Sequence, residues 1–143
     1  LLVTGVQTCA LPIFHVRVLE AAKIPNMDVV GKSDPYTVLT ITGSNQKWKT
    51  TVKDNTNMPI WNEVFTLPVS SDLEGVLKAH VWDKDLSSDD EIGEIEIPIK
   101  SLVQGKILDK WYNLKPAKGM KDAGQLRLVL HLDQIGFPAF VEH

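Results

Sequence analysis

The chain predicts an all-β fold, an antiparallel sandwich of eight strands with Greek-key connections, and three observations carry that expectation. Apolar residues recur at every second position in short runs, such as Leu77, Ala79, Val81 and Leu126, Leu128, Leu130, Leu132. A period of two turns one face of an extended chain toward a core and the other toward water. Turn-forming Gly, Pro, Asn and Asp separate these runs at near-regular spacing, as a sandwich requires. Only Ile99 to Leu108 offers room for a helical turn, and no internal repeat is visible.

The elements follow in order. His15 to Ala21 alternates as a first strand and ends near Pro25. Asn26 to Pro35 is a loop, because Gly31 admits φ > 0 and Pro35 holds Asp34 extended. Tyr36 to Thr42, rich in β-branched residues, is the second strand. Gly43-Ser44-Asn45 marks a turn into a third strand, Gln46 to Lys53, with Lys47, Lys49 and Lys53 on one face. Asp54 to Pro59 is polar and turn-forming. Trp61 to Pro68 and Gly75 to Trp82 make strands four and five, and Ile92 to Pro98 makes the sixth. Trp111 to Leu114 is a short seventh strand and Gln125 to Leu132 the eighth. After Leu132 the alternation stops, so residues 133–143 are expected to be a tail or linker.

A length of 143 residues with 43% hydrophobic content suits one domain with a true core. The net charge of −3 offers no global field for nucleic acid, so any partner meets a local patch. No apolar run approaches the ~18 residues that a membrane-spanning helix needs. The one cysteine, Cys9, excludes an internal disulfide and fits a reducing compartment. Val3 to Ile13 resembles the translated read-through of a sequencing-library adaptor. Residues 1–13, and Phe14 in part, are therefore expected to be no part of the native domain, which would span residues 14–132. A signal peptide is the competing reading, but the segment lacks a basic start and is interrupted by Gly5, Gln7, Thr8 and Pro12.

The chemistry concentrates in Trp82 to Gly93, where five carboxylates fall between Asp83 and Glu91. Acids crowded on a loop between two strands repel one another and favour a hard cation with oxygen ligands, calcium above all. The plain alternative is a solvated acidic hairpin. An EF-hand is excluded, because Ser88 stands where its loop needs Gly and the flanks alternate as strands. A second acidic loop, Asp28-Val29-Val30-Gly31-Lys32-Ser33-Asp34-Pro35-Tyr36, carries two acids six residues apart.

These two loops, with Pro59-Ile60-Trp61-Asn62-Glu63-Val64-Phe65 between them, resemble the C2 domain family over about residues 14–132. The resemblance implies the topology in which the strand that other members place first comes last. It implies calcium carboxylates at Asp28, Asp34, Asp83, Asp85 and Asp90, with Asp89 as a substitute for the last because this loop is one residue short. Main-chain oxygens of Met27 and Lys84 would join them, and Asn55 matches a position that ligates in some members. Met58, where many members have Asn, departs from the pattern of the second loop. Val29, Val30 and Leu86 would stand at the loop tips, placed to insert into a bilayer boundary. Lysines at Lys47 and Lys49 would contact phosphoinositide headgroups.

No catalytic pattern stands beside these. His15, His80, His131 and His143 are scattered, with no carboxylate or nucleophile at motif spacing, and no phosphate loop, nucleophile elbow or zinc-protease motif occurs. Trp48, Trp61, Trp82 and Trp111 read as packing residues. The expected function is calcium-dependent docking of a cytoplasmic, peripheral module onto anionic phospholipid membranes, with no enzymatic activity. The alternative is a calcium-independent protein-interaction module with solvated acidic loops.

Overall fold

The computed structural model describes residues 11–27 and 31–143. Among the described residues it contains nine strands: β1 (Pro12–Ala22), β2 (Pro35–Ile41), β3 (Trp48–Lys49), β4 (Ile60–Leu67), β5 (Val76–Asp83), β6 (Asp90–Pro98), β7 (Ile107–Asn113), β8 (Lys115–Pro116) and β9 (Gln125–Gln134). One 3₁₀ turn, Ile99–Ser101, occupies the stretch where a helical turn was expected. The strands form two antiparallel sheets, β4-β1-β9-β7 and β3-β2-β5-β6-β8. The expected all-β sandwich is thus what the chain forms, with its last strand paired beside its first, but with nine strands where eight were expected, because Lys115 and Pro116 pair with Glu94 and Gly93 at the sheet edge.

Strand alternation explains the core. Phe14, Val16 and Val18 of β1 and Leu126, Leu128, Leu130 and Leu132 of β9 are buried from one sheet. Leu39, Ile41, Leu77, Ala79, Val81, Ile95 and Ile97 meet them from the other. Each large side chain fully removed from water contributes about 1.5–3 kcal/mol. This shared apolar layer holds the loops at the sandwich end in place.

Several boundaries differ from the alternation pattern, each for a physical reason. The predicted strand Gln46 to Lys53 shrinks to two residues. The Thr50 hydroxyl accepts the Thr37 N–H at 2.9 Å, replacing the carbonyl that a regular ladder would offer. Strand β7 begins at Ile107, four residues early, because main-chain pairing with β9 decides an edge strand whose side chains are mostly exposed. Trp111 on that edge is 39% exposed and is not a core residue, unlike Trp61 at 6%. Pro12 and Ile13 extend β1 and pair with Gln134 and Asp133, and the Leu11 carbonyl accepts the Ile135 N–H at 2.9 Å.

Past β9 the chain turns back over the outer face of the four-stranded sheet. Phe140 lies between Arg17, whose guanidinium is 4.9 Å from the ring, and His131, whose Nδ1 accepts the Phe140 N–H at 2.9 Å. His143 reaches Asp133 at 2.9 Å and stacks on Phe137. The segment expected to be a tail or linker covers His15, His131 and Asp133, which are all buried.

In β6 a bulge leaves Ile92 as an extra residue, since Val81 faces Gly93 while Trp82 faces Glu91. Gly93 is required there. A Cβ at this position would lie 2.6 Å from the Ala123 Cβ and 2.8 Å from the Lys115 carbonyl.

Candidate metal centre

Three loops converge at one end of the sandwich, through residues 23–27 and 31–34 of the first, residues 50–59 of the second and residues 84–89 of the third. Local hydrogen bonds shape the first. The buried Ser33 hydroxyl donates to the Pro25 carbonyl at 2.8 Å and accepts the Met27 N–H at 3.3 Å, cinching the loop across its base. Gly31 takes φ +87°, open to glycine at no steric cost. The next amide, Lys32 N–H, donates to Asn55 Oδ1 at 2.8 Å.

The acids themselves fasten the loops together. Asp83 closes β5 opposite Pro35 and is wholly buried. Its Oδ1 accepts the Asp34 N–H at 2.8 Å, joining residues 49 positions apart. Asp34 Oδ1 in turn accepts the Asn55 N–H at 2.6 Å, and the Asp34 carbonyl accepts the Lys84 N–H at 3.0 Å. Asn55, at φ 53°, turns its amide toward the acids. Asp34, Asn55, Asp83 and Lys84, all named from the sequence, are thus brought into one hydrogen-bonded unit.

The third loop is held by an aspartate of its own. Asp89 Oδ1 accepts the Asp85 N–H at 3.0 Å, its Oδ2 accepts the Tyr36 hydroxyl, and Lys84 Nζ stands 3.7 Å away. The Tyr36 bond, the Asp85 N–H and Lys84 together hold the Asp89 carboxyl below its ordinary pKa. Burial, then the bond to Asp89, pushes the Tyr36 phenol up to about 12. Asp90 is exposed at the start of β6, directly opposite Asp83. Asp89 is therefore engaged in loop structure, whereas Asp90 stands across the ladder from the buried acid. Asp85 is exposed, with Oδ1 accepting the Leu86 N–H at 2.6 Å, and Leu86 projects with no cover at all. Asp28, Val29 and Val30 lie outside the described residues.

Lys47 and Lys49 are exposed and line a concavity of about 330 Å³ with Tyr36, Val38, Trp82 and Asp89. The basic pair thus opens beside the acidic loops, and Lys53 does not line it.

The donor set suits a hard cation, consisting of carboxylates and carbonyls with no sulfur or imidazole. Asp83 is a wholly buried carboxylate at the convergence point, and a buried charge calls for a cation or hydrogen-bond donors. Sequence reasoning missed Tyr36 and Ser33 as positioning residues. Ser33 carries no local signal, since its partners are main-chain groups, and Tyr36 meets Asp89 only through the pairing of β2 with β5. It also read the histidines as isolated. The structure sets His80 Nε2 2.8 Å from Glu94 and 3.8 Å from Glu91, and gathers His131 and His143 on Asp133.

Comparison with known proteins is consistent across sequence and structure. The family model described as C2 domain matches residues 13–114. Synaptotagmin-5 of Arabidopsis thaliana is 34% identical over 118 residues, covering 82% of this chain. The chain spans 20% of the length of that curated relative. Among solved structures, a single C2 domain of plant extended synaptotagmin 1 superposes with a TM-score of 0.81 at 25% identity, covering 90% of this chain and 98% of that one. A calcium-bound pair of C2 domains from extended synaptotagmin 2 gives 0.75 at 26% identity, covering 86% and 46%.

Proposed function

Because the chain belongs to the C2 domain family, we propose that it docks onto anionic phospholipid membranes in response to calcium, as a peripheral module on the cytoplasmic side. The observation that carries this reading is the Asp34 N–H bond to Asp83, which seats two acidic loops on one edge with Leu86 exposed beyond them. Asp34, Asp83, Asp85 and Asp90, with Asp28 and the carbonyls of Met27 and Lys84, would hold the ion. Bound there, calcium supplies positive charge and open coordination positions for lipid phosphate oxygens. The chain's own residues do the rest. Ser33, Asn55 and Asp89 hold the loops in register, Leu86 offers an apolar tip to which Val29 and Val30 would add by the family pattern, and Lys47 and Lys49 would attract anionic headgroups. Among the described residues no helix is long and apolar enough to cross a membrane.

Co-sedimentation with phosphatidylserine vesicles, with and without calcium, tests the reading. Asp83→Asn with Asp85→Asn keeps an acceptor for the Asp34 amide but removes two charges, so calcium-triggered binding should collapse. Retained calcium-dependent binding by that double variant would sink the assignment. Equal binding of a protein partner with and without calcium would instead mark the loops as a protein-interaction surface.

A further inference from the structure

We propose that His80, Glu91 and Glu94 form a surface site for a borderline transition-metal dication, zinc foremost, separate from the acidic loops. The site lies on the outer face of the five-stranded sheet, where His80 of β5 stands directly opposite Glu94 of β6. One ligand atom from each of the three residues lies within 4.8 Å of the other two. The bulge at Ile92 makes this possible. Residues three apart on a regular strand face opposite sides, but the extra residue returns Glu91 to the side of Glu94. Ile92 and Gly93 both turn inward and are buried, leaving the two glutamates on the outer face with the imidazole.

The donors select the ion. An imidazole nitrogen with two carboxylates suits zinc, and not calcium or magnesium, which take oxygen ligands. Two ligand atoms on a tetrahedral zinc with bonds of ~2.1 Å lie roughly 3.4 Å apart. The present separations of 2.8 and 3.8 Å bracket that value, so the side chains need only rotamer-scale adjustment. The side chains are 23% (His80), 37% (Glu91) and 28% (Glu94) exposed, so the ion is reachable and its fourth position faces solvent.

The test uses the full chain in calcium-free buffer, titrated calorimetrically with zinc chloride, with cobalt(II) absorption as a second readout. One saturable equivalent is expected, with tetrahedral cobalt bands. His80→Gln and Glu94→Gln should each weaken binding by more than about tenfold, since even outer-shell partners of a metal cost 10–100-fold. Asp83→Asn/Asp85→Asn and His143→Gln should leave zinc affinity unchanged, which separates this site from the calcium loops and from the cluster around Asp133. Two results would overturn the proposal. One is the absence of saturable binding up to about 1 mM. The other is undiminished affinity in His80→Gln, which would leave the trio as an ion-paired histidine.

Discussion

In the proposed docking Leu86 and the lysine pair would meet the same membrane, but they should fail differently. Leu86 is fully exposed on the third loop, while Lys47 and Lys49 border the concavity beside it. Charge attraction to an anionic surface is screened by salt, whereas apolar burial is not. Lys47→Ala with Lys49→Ala should weaken binding by about 1 kcal/mol per lysine on strongly anionic vesicles, and the loss should shrink as salt rises. Leu86→Ser should lower affinity at every salt concentration, by less than the ~1.5–3 kcal/mol of full burial. Co-sedimentation across a salt series separates the two. A salt-dependent Leu86 defect would argue against insertion.

The decisive element is β6 with its bulge. Gly93 sits where two chain segments cross closely, against Ala123 and the Lys115 carbonyl. Gly93→Ala must push β8 or the Ala123 loop aside, at a cost of about 1–3 kcal/mol for overpacking. Denaturant unfolding should show that loss, and an unchanged midpoint would mean that the crossing yields freely. Since Asp90 and Glu91 begin the same strand, this variant should also disturb the loop above it. On the opposite sheet, Arg127 of β9 joins both neighbours. It donates to Asp109 of β7 at 2.8 and 2.7 Å and to Glu20 of β1 at 2.8 Å. The Arg127 guanidinium holds the Asp109 carboxyl below its usual range.

At the scale of the whole molecule, the C-terminal segment covers the part of the four-stranded sheet's outer face around His15, Arg17 and His131. Burial, then the neighbouring His131, depresses the His15 imidazole below its ordinary value. An unfolded chain would take that proton first, so stability should fall as the pH drops below about 6.5. Burial alone would raise the Asp133 carboxyl, but the Gln134 N–H and His143 more than offset it. The contributions of Asp133 and Asp109 are complete above about pH 4 and are lost as the pH falls through their lowered folded values. Removing residues 135–143 uncovers His15, so the loss between pH 7 and 5 should shrink. It also removes the partial cover of Phe137 and Phe140, costing roughly 1–2 kcal/mol. Thermal melts of both chains across pH read this, and parallel profiles would show that the tail does not set the His15 environment.

The sequence by itself determined the sandwich and the order of its strands, because a two-residue period and turn residues are local properties of the backbone. Loops that flank strands at one end must meet, which brought Asp34 and Asp83 together in the reading, while Asn55 and Lys84 came only from the resemblance to C2 domains. The sequence did not contain the short third strand, the long β7, the two-residue β8 or the fold-back of the tail. Those depend on which main-chain group or face lies opposite, as with the Thr50 hydroxyl at Thr37 N–H or Phe140 over His131. Only tertiary structure decided that Asp89 turns to Tyr36 while Asp90 faces Asp83. Neighbouring residues on a strand end point opposite ways, and pairing register, not composition, chooses between them. The same register, shifted once at Ile92, brought His80 to two glutamates eleven and fourteen positions away.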